Sequence, residues 1–343
     1  MTKLSLFALA MFAGSLTLNA QKVDLDPYNF KFQYRNLPST PLDTTYKTYS
    51  VKTDVSADIE NAMTADAVSS KIILEGFSRV DRKGDVSISI SVEDLIIEKY
   101  DIIENSTETK NKDGSVTKNY SYYVAVTYSI RGRADFYGRD GSELKKGMSL
   151  FSSSYNWNSS SYKTRSEASS YYYNNKRAIM NNLIRERINE AIGSINGHVN
   201  LYFGYPVTDI NNYLWLIDNK KHPEYEAMNA RWKALKLVLE GITANELSED
   251  AKSKINEMIK YFDGLKTTYN KDEKADKKIR YACYYNNAQL YMILDMPDKA
   301  GIEGNGLITN DYDAKDGKRI NEAAEALTAL FTANHWNSRH FKK

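Results

Sequence analysis

Cysteine is nearly absent from this chain of 343 residues: Cys283 is the only one. No intrachain disulfide can form, and no thiolate cluster can hold zinc or an iron–sulfur centre. Histidine is scarce as well, limited to His198, His222, His335 and His340. His335 and His340 miss the i,i+4 spacing that brings two metal ligands to one helix face, and they read as surface residues at a loose C-terminus. An excess of one charge is missing too, since 46 Lys and Arg against 44 Asp and Glu leave a formal charge of +2. Bulk electrostatic attraction to nucleic acid is thereby excluded. Stability must come from buried apolar surface, and a 42% hydrophobic composition over this length suffices for about two domains.

Long apolar runs are lacking except at the start, where Lys3 precedes the stretch Leu4 to Leu18, which ends in Leu18-Asn19-Ala20. This pattern predicts a cleavable signal peptide over residues 1–20, leaving Gln21 first in an exported protein. The stretch is shorter than the roughly 20 apolar residues that span a bilayer. No cysteine follows the cleavage point to take a lipid, so the expectation is a soluble periplasmic or extracellular chain without a membrane span.

Tyrosine is abundant, 26 against 11 phenylalanines, and clusters at 120–123, 171–173 and 281–285. Tyr28, Phe30 and Phe32 alternate with polar residues as a short strand, and residues 54–76 look helical. Val86, Ile88, Ile90 and Val92 alternate strictly with Asp85, Ser87, Ser89 and Ser91, and a second alternation covers 122–130. Asp113-Gly114 is a hairpin signal between them, which pairs the two runs antiparallel and makes 104–119 an exposed connection. A third strand is expected from Met148 to Trp157, a long helix from Ser166, and a closing strand at Val199, Leu201 and Phe203. These elements describe an α+β domain at 21–205, an antiparallel sheet with helices on one face. From Pro206 strand signals fade, and helices are expected at 223–240, 248–268, 273–296 and 317–334, giving an all-α domain at 206–343.

One stretch carries a family pattern. Tyr284 stands at a large first position, Ala288 at a small one, Tyr291 at an aromatic one, and Ala300 at a second small one twelve residues after Ala288. Residues 284–307 thus resemble a tetratricopeptide repeat, with two departures, Asn287 where leucine is usual and Gly304 where a large residue is usual. The resemblance implies a helical-repeat scaffold whose concave face binds peptides or proteins, and it implies no catalysis. In element order alone, the first domain faintly resembles the α+β modules of Gram-negative envelope lipoproteins, a likeness of fold that carries no site.

Catalytic patterns are not found. Asp311, Asp313 and Glu322 match a calcium loop at positions 1, 3 and 12, but Lys315 falls at position 5 and Gly317 comes one place late, so a solvated acidic loop ending at Asp316 is the better reading. Gly138 to Gly141 lacks the Lys-Ser/Thr of a phosphate loop, and Cys283 sits in an apolar helical pattern. No cofactor is expected. Tyr120, Tyr122 and Tyr171 are candidate interaction residues, together with Trp336 and Arg339 in a docking tail. The expected function is a non-enzymatic interaction or scaffold protein of the bacterial envelope, its partner another envelope protein or a peptide. The second reading is a glycan-binding or glycan-acting protein.

Overall fold

The computed structural model describes residues 23–343, so the expected signal peptide lies outside the described residues. The elements in chain order are β1 (Leu25–Arg35), β2 (Thr48–Val55), α1 (Ala57–Ala62), α2 (Ala65–Ser70), β3 (Ser78–Arg79), β4 (Val86–Val92), β5 (Ile96–Lys110) and β6 (Val116–Ser129). They continue with β7 (Gly132–Gly138), β8 (Glu143–Ser149), β9 (Tyr155–Asn158), α3 (Arg165–Tyr202) and β10 (Val207–Ile217). The helices α4 (Tyr225–Glu240), α5 (Glu249–Thr268), α6 (Lys274–Ile293), α7 (Pro297–Asn310) and α8 (Ala314–Asn334) follow. The chain divides into two compact units. A sheet unit holds 35–207, 333–336 and 343, and a helical unit holds the described residues up to 34 with 208–332 and 337–342.

In the sheet unit the strongest alternation behaves as expected: Val86, Ile88, Ile90 and Val92 are buried while Ser87, Ser89 and Ser91 face away. Its pairing does not. β4 lies parallel to β2 and antiparallel to β7 in a mixed five-stranded sheet of order β3-β2-β4-β7-β8. The cause is the short helices α1 and α2 between β2 and β4, which form the crossover that a parallel pair needs. The Asp113-Gly114 turn instead joins β5 to β6, with Gly114 at φ +87°. Residues 104–119 are therefore not a connection but the outer half of a two-stranded arm, paired from Ile96↔Ser129 to Lys110↔Val116 and exposed along its distal half. β9 joins the inner half of β6.

α3 starts at a capping box, in which the Thr164 hydroxyl accepts from the Glu167 N–H and the Glu167 carboxylate accepts from the Thr164 N–H. Its buried stripe, Ile179, Leu183, Ile184, Ile188, Ile192, Ile195 and Val199, runs the length of the sheet unit's core. The closing strand expected at Val199, Leu201 and Phe203 is the last turn of this helix, because Val199 and Phe203 continue the four-residue series and Gly193 and Gly197 lie on its exposed face. Asn196 and Asn200 each bind an otherwise irregular segment edge-on: Asn196 accepts from Ile73 N–H and donates to Lys71 O, and Asn200 accepts from Glu75 N–H and donates to Ile73 O. Two amides on one helix face thus supply the hydrogen bonds a neighbouring strand would otherwise provide.

In the helical unit the regular elements from Tyr225 onward are all helices. The unit as a whole is not all-α, because β1 and β10 form a two-stranded ribbon within it. The ribbon is antiparallel, as Asp218 N–H donates to Asp24 O at one end and Asn36 N–H to Pro206 O at the other. Its two faces are both apolar. Phe30, Phe32, Leu214 and Leu216 pack with Trp232, Phe262 and Leu290 from α4, α5 and α6, whereas Tyr213 and Trp215 pack with Tyr281, Tyr285, Leu307 and Ile320. The expected architecture of an antiparallel α+β domain followed by an all-α domain is thus corrected on two points: the main sheet is mixed, and the helices enclose strands.

Candidate functional surfaces

The helix pair that carries the repeat pattern is α6 with α7. Ala288 and Ala300 are fully buried, and Tyr284 and Tyr291 are half-buried. The two departures from the pattern have structural causes. Asn287 is fully buried and donates to Asp263 Oδ1 at 2.8 Å, within a polar cluster in which Lys266 Nζ reaches Asp263 at 2.8 Å and both Glu303 oxygens at 2.8 and 3.0 Å. Gly304 lies where α7 meets α8: a Cβ there would fall 3.0 Å from Gly317 O, and one on Gly317 would fall 2.5 Å from Gly304 O. Only glycine lets the two backbones approach this closely.

The face of α6 turned to the ribbon is taken by the chain itself. Asn286, fully buried, accepts from Trp215 N–H at 2.8 Å and donates to Trp215 O at 2.7 Å, while the Tyr213 ring stacks on Tyr285 with centroids 5.5 Å apart. A groove of about 590 Å³ remains open between α7 and α8. Gly301 and Ala324 line it, Ile302 stands 68% exposed at its rim, and the Asp298 and Glu325 carboxylates beside it form no ion pair with a described residue.

The tyrosines singled out in the sequence fall in different settings. Tyr120 is exposed on the β5–β6 arm, Tyr122 forms a backbone bridge to Tyr162, and Tyr171 packs on Tyr162 at 5.2 Å between centroids. Trp336 is 36% exposed. Arg339 is committed internally: its guanidinium donates to Asp295 Oδ1 at 2.7 Å, also reaches Met292 O, and lies over the Tyr34 ring. His340 is buried, contrary to the surface position expected for it, with Nδ1 2.8 Å from Thr243 O. Trp336 and Arg339 therefore do not share one exposed tail.

The acidic loop at 311–316 turns inward in part, since Asp316 accepts the Tyr281 hydroxyl proton at 2.7 Å and Asp313 accepts from Lys315 N–H. Among the described residues no group of three or more His, Cys, Asp or Glu is placed to hold a metal ion. Cys283 is fully buried, and burial pushes its thiol far above the usual range.

A second opening, of about 470 Å³, lies in the sheet unit between α1 and α3, where Tyr173 is 66% exposed. The sequence flags Tyr171 to Tyr173 but cannot reveal that α1, more than a hundred positions earlier, supplies the facing wall. Among the described residues no helix is long and apolar enough to cross a membrane. No protein-family model matches the chain, and no curated protein matches it.

Proposed function

We propose that this chain is an exported, non-catalytic interaction protein whose helical unit receives an amphipathic helix of a partner in the α7–α8 groove. The carrying observation is the groove itself. Small residues at Gly301 and Ala324 let another helix approach closely, and Ile302 offers an apolar contact. Asp298 and Glu325 flank it without internal counter-charges, which favours a helix edged with lysine or arginine. The sequence resemblance of residues 284–307 to a tetratricopeptide repeat supports a binding scaffold, with the difference that the ribbon covers one face of α6 and leaves the α7–α8 groove for the partner.

The test uses a synthetic amphipathic peptide of leucine and lysine as the probe, titrated against the processed chain and followed by fluorescence. Binding should weaken about tenfold, or 1.4 kcal/mol, with Ile302→Asp, and similarly with the charge reversal Glu325→Lys. A leucine–glutamate peptide of the same pattern should not bind. Equal binding of both peptides, or indifference to Ile302→Asp, would refute the reading. Export is checked separately by sequencing the N-terminus of the protein from cell fractions, which should begin at Gln21.

A further inference from the structure

We infer that the cleft between α1 and α3 binds a short acidic saccharide. Its volume of about 470 Å³ falls within the range of small-molecule sites, which run from roughly 300 to 1,000 Å³. Its base is apolar: Leu95 and Ile184 are buried and Met180 is half-buried. The carbon–hydrogen face of a pyranose is the kind of surface such a base accepts, and an aromatic wall completes it. Tyr173 supplies that wall, and its ring is backed by Tyr100 at 6.0 Å and by Tyr172 at 5.8 Å between centroids. Tyr172 is itself buried, so the exposed ring stands on a fixed support and loses little freedom when a ligand stacks on it.

The polar rim points to the same ligand class. Asn61 comes from α1, and Asn174 and Asn181 from α3, and each amide offers both donors and an acceptor, the combination that sugar hydroxyls need. Asp58 adds an acceptor. Lys176 and Arg177 add two cations against that one carboxylate, which selects a sugar bearing its own carboxylate. None of these six side chains forms a hydrogen bond or ion pair with another described residue. This contrasts with Asn189, Asn196 and Asn200 farther along α3, whose amides are all engaged by residues 71–75. The two ends of one helix therefore use the same residue type differently, internally at one end and toward solvent at the other. Hydrolysis is not part of the inference, because a glycosidase needs two carboxyl groups flanking the bond and Asp58 is the only one lining the cleft.

The experiment titrates the processed full chain with trigalacturonate and, at equal length, with neutral maltotriose, by calorimetry and by saturation-transfer NMR. Trigalacturonate should bind and maltotriose should bind at least tenfold more weakly. Tyr173→Ala and Arg177→Gln, both at exposed positions, should each weaken trigalacturonate about tenfold while leaving the circular dichroism spectrum unchanged. Arg177→Gln should weaken trigalacturonate more than maltotriose, and added salt should weaken the acidic ligand more than the neutral one. Absence of trigalacturonate binding at millimolar concentration, equal affinity for the two sugars, or binding that ignores Tyr173→Ala would overturn the inference.

Discussion

Replacing Lys266 with methionine tests how the helical unit tolerates its buried charge. The Lys266 ammonium lies 2.8 Å from Glu303 Oε2, with side-chain exposures of 16% and 10%. At an effective dielectric near 20 such a pair attracts by about 6 kcal/mol, most of which offsets desolvation. Its two members respond differently. Burial is the largest influence on both: Lys266 is nonetheless held above its usual value by the hydrogen bonds it donates to Asp263 and Glu303, whereas Glu303 is pushed up because burial outweighs the ammonium.

Lys266→Met would leave Glu303 buried beside no cation. Breaking such pairs costs about 3–5 kcal/mol, and the residual solvent access puts this one near 3 kcal/mol. The sign with pH follows from the raised carboxyl. The folded state binds the extra proton, so stability falls as pH rises from the unfolded carboxyl value through the folded one, and the variant steepens and extends that fall. Urea unfolding followed by Trp215 and Trp232 fluorescence should show the midpoint lowered by roughly 1–2 M at pH 7.5 and nearly restored at pH 4. The double variant Lys266→Met with Glu303→Leu should recover most of the loss at pH 7.5. A loss below about 1 kcal/mol, or one constant from pH 4 to 8, would refute the reasoning.

Asn286→Leu should cost about 2–4 kcal/mol, since it strips both hydrogen bonds from the Trp215 backbone, and hydrogen exchange at the Trp215 amide should accelerate more than at Leu235 in α4. Thr164→Ala should destabilise the start of α3 by about 1 kcal/mol, read as faster exchange over its first turn, because half of the capping box is lost. Cys283 should resist iodoacetamide at pH 8 in the folded protein and react on unfolding, measured by mass spectrometry, because the thiol is buried and held protonated. Shortening the β5–β6 arm by joining Glu104 to Tyr122 through a two-residue turn should leave the thermal midpoint unchanged within about 2 °C, since the exposed distal half contributes little buried surface.

Period and punctuation in the chain reveal elements better than partners. The strict alternation at 86–92 announces a strand, yet nothing within those seven residues says that its neighbours are β2 and β7. β5 escapes a pattern search because its apolar residues come as the doublets Ile96-Ile97 and Ile102-Ile103: Ile97, Tyr100 and Ile102 pack against the core while Ile96 and Ile103 are exposed, and the irregularity between Ile97 and Lys99 breaks the period of two. At Val199, Leu201 and Phe203 a period of two and a period of four coincide, and only the preceding Ile192 and Ile195 decide for the helix. Four of the helices from Tyr225 onward are legible because long runs give a 3.6-residue stripe many chances to repeat, whereas α7, shorter and carrying Gly301, Gly304 and Gly306, is absent from the four helical runs expected. The cleft was half legible: three adjacent tyrosines mark its wall, while Asp58 and Asn61 reach it through tertiary packing alone.

β1 belongs to a unit whose helices are encoded only after the whole of Arg35–Val207 has intervened. Closing that ribbon joins the ends of a very long loop, an entropic toll that slows folding more than it weakens the final state. A fragment beginning at residue 208 would lack Phe30 and Phe32 and leave a hollow beside Trp232, with one edge of β10 bare. Cutting this protein where strands give way to helices therefore removes a wall from the second part, and a stable excised version must carry Leu25 to Tyr34 grafted ahead of β10.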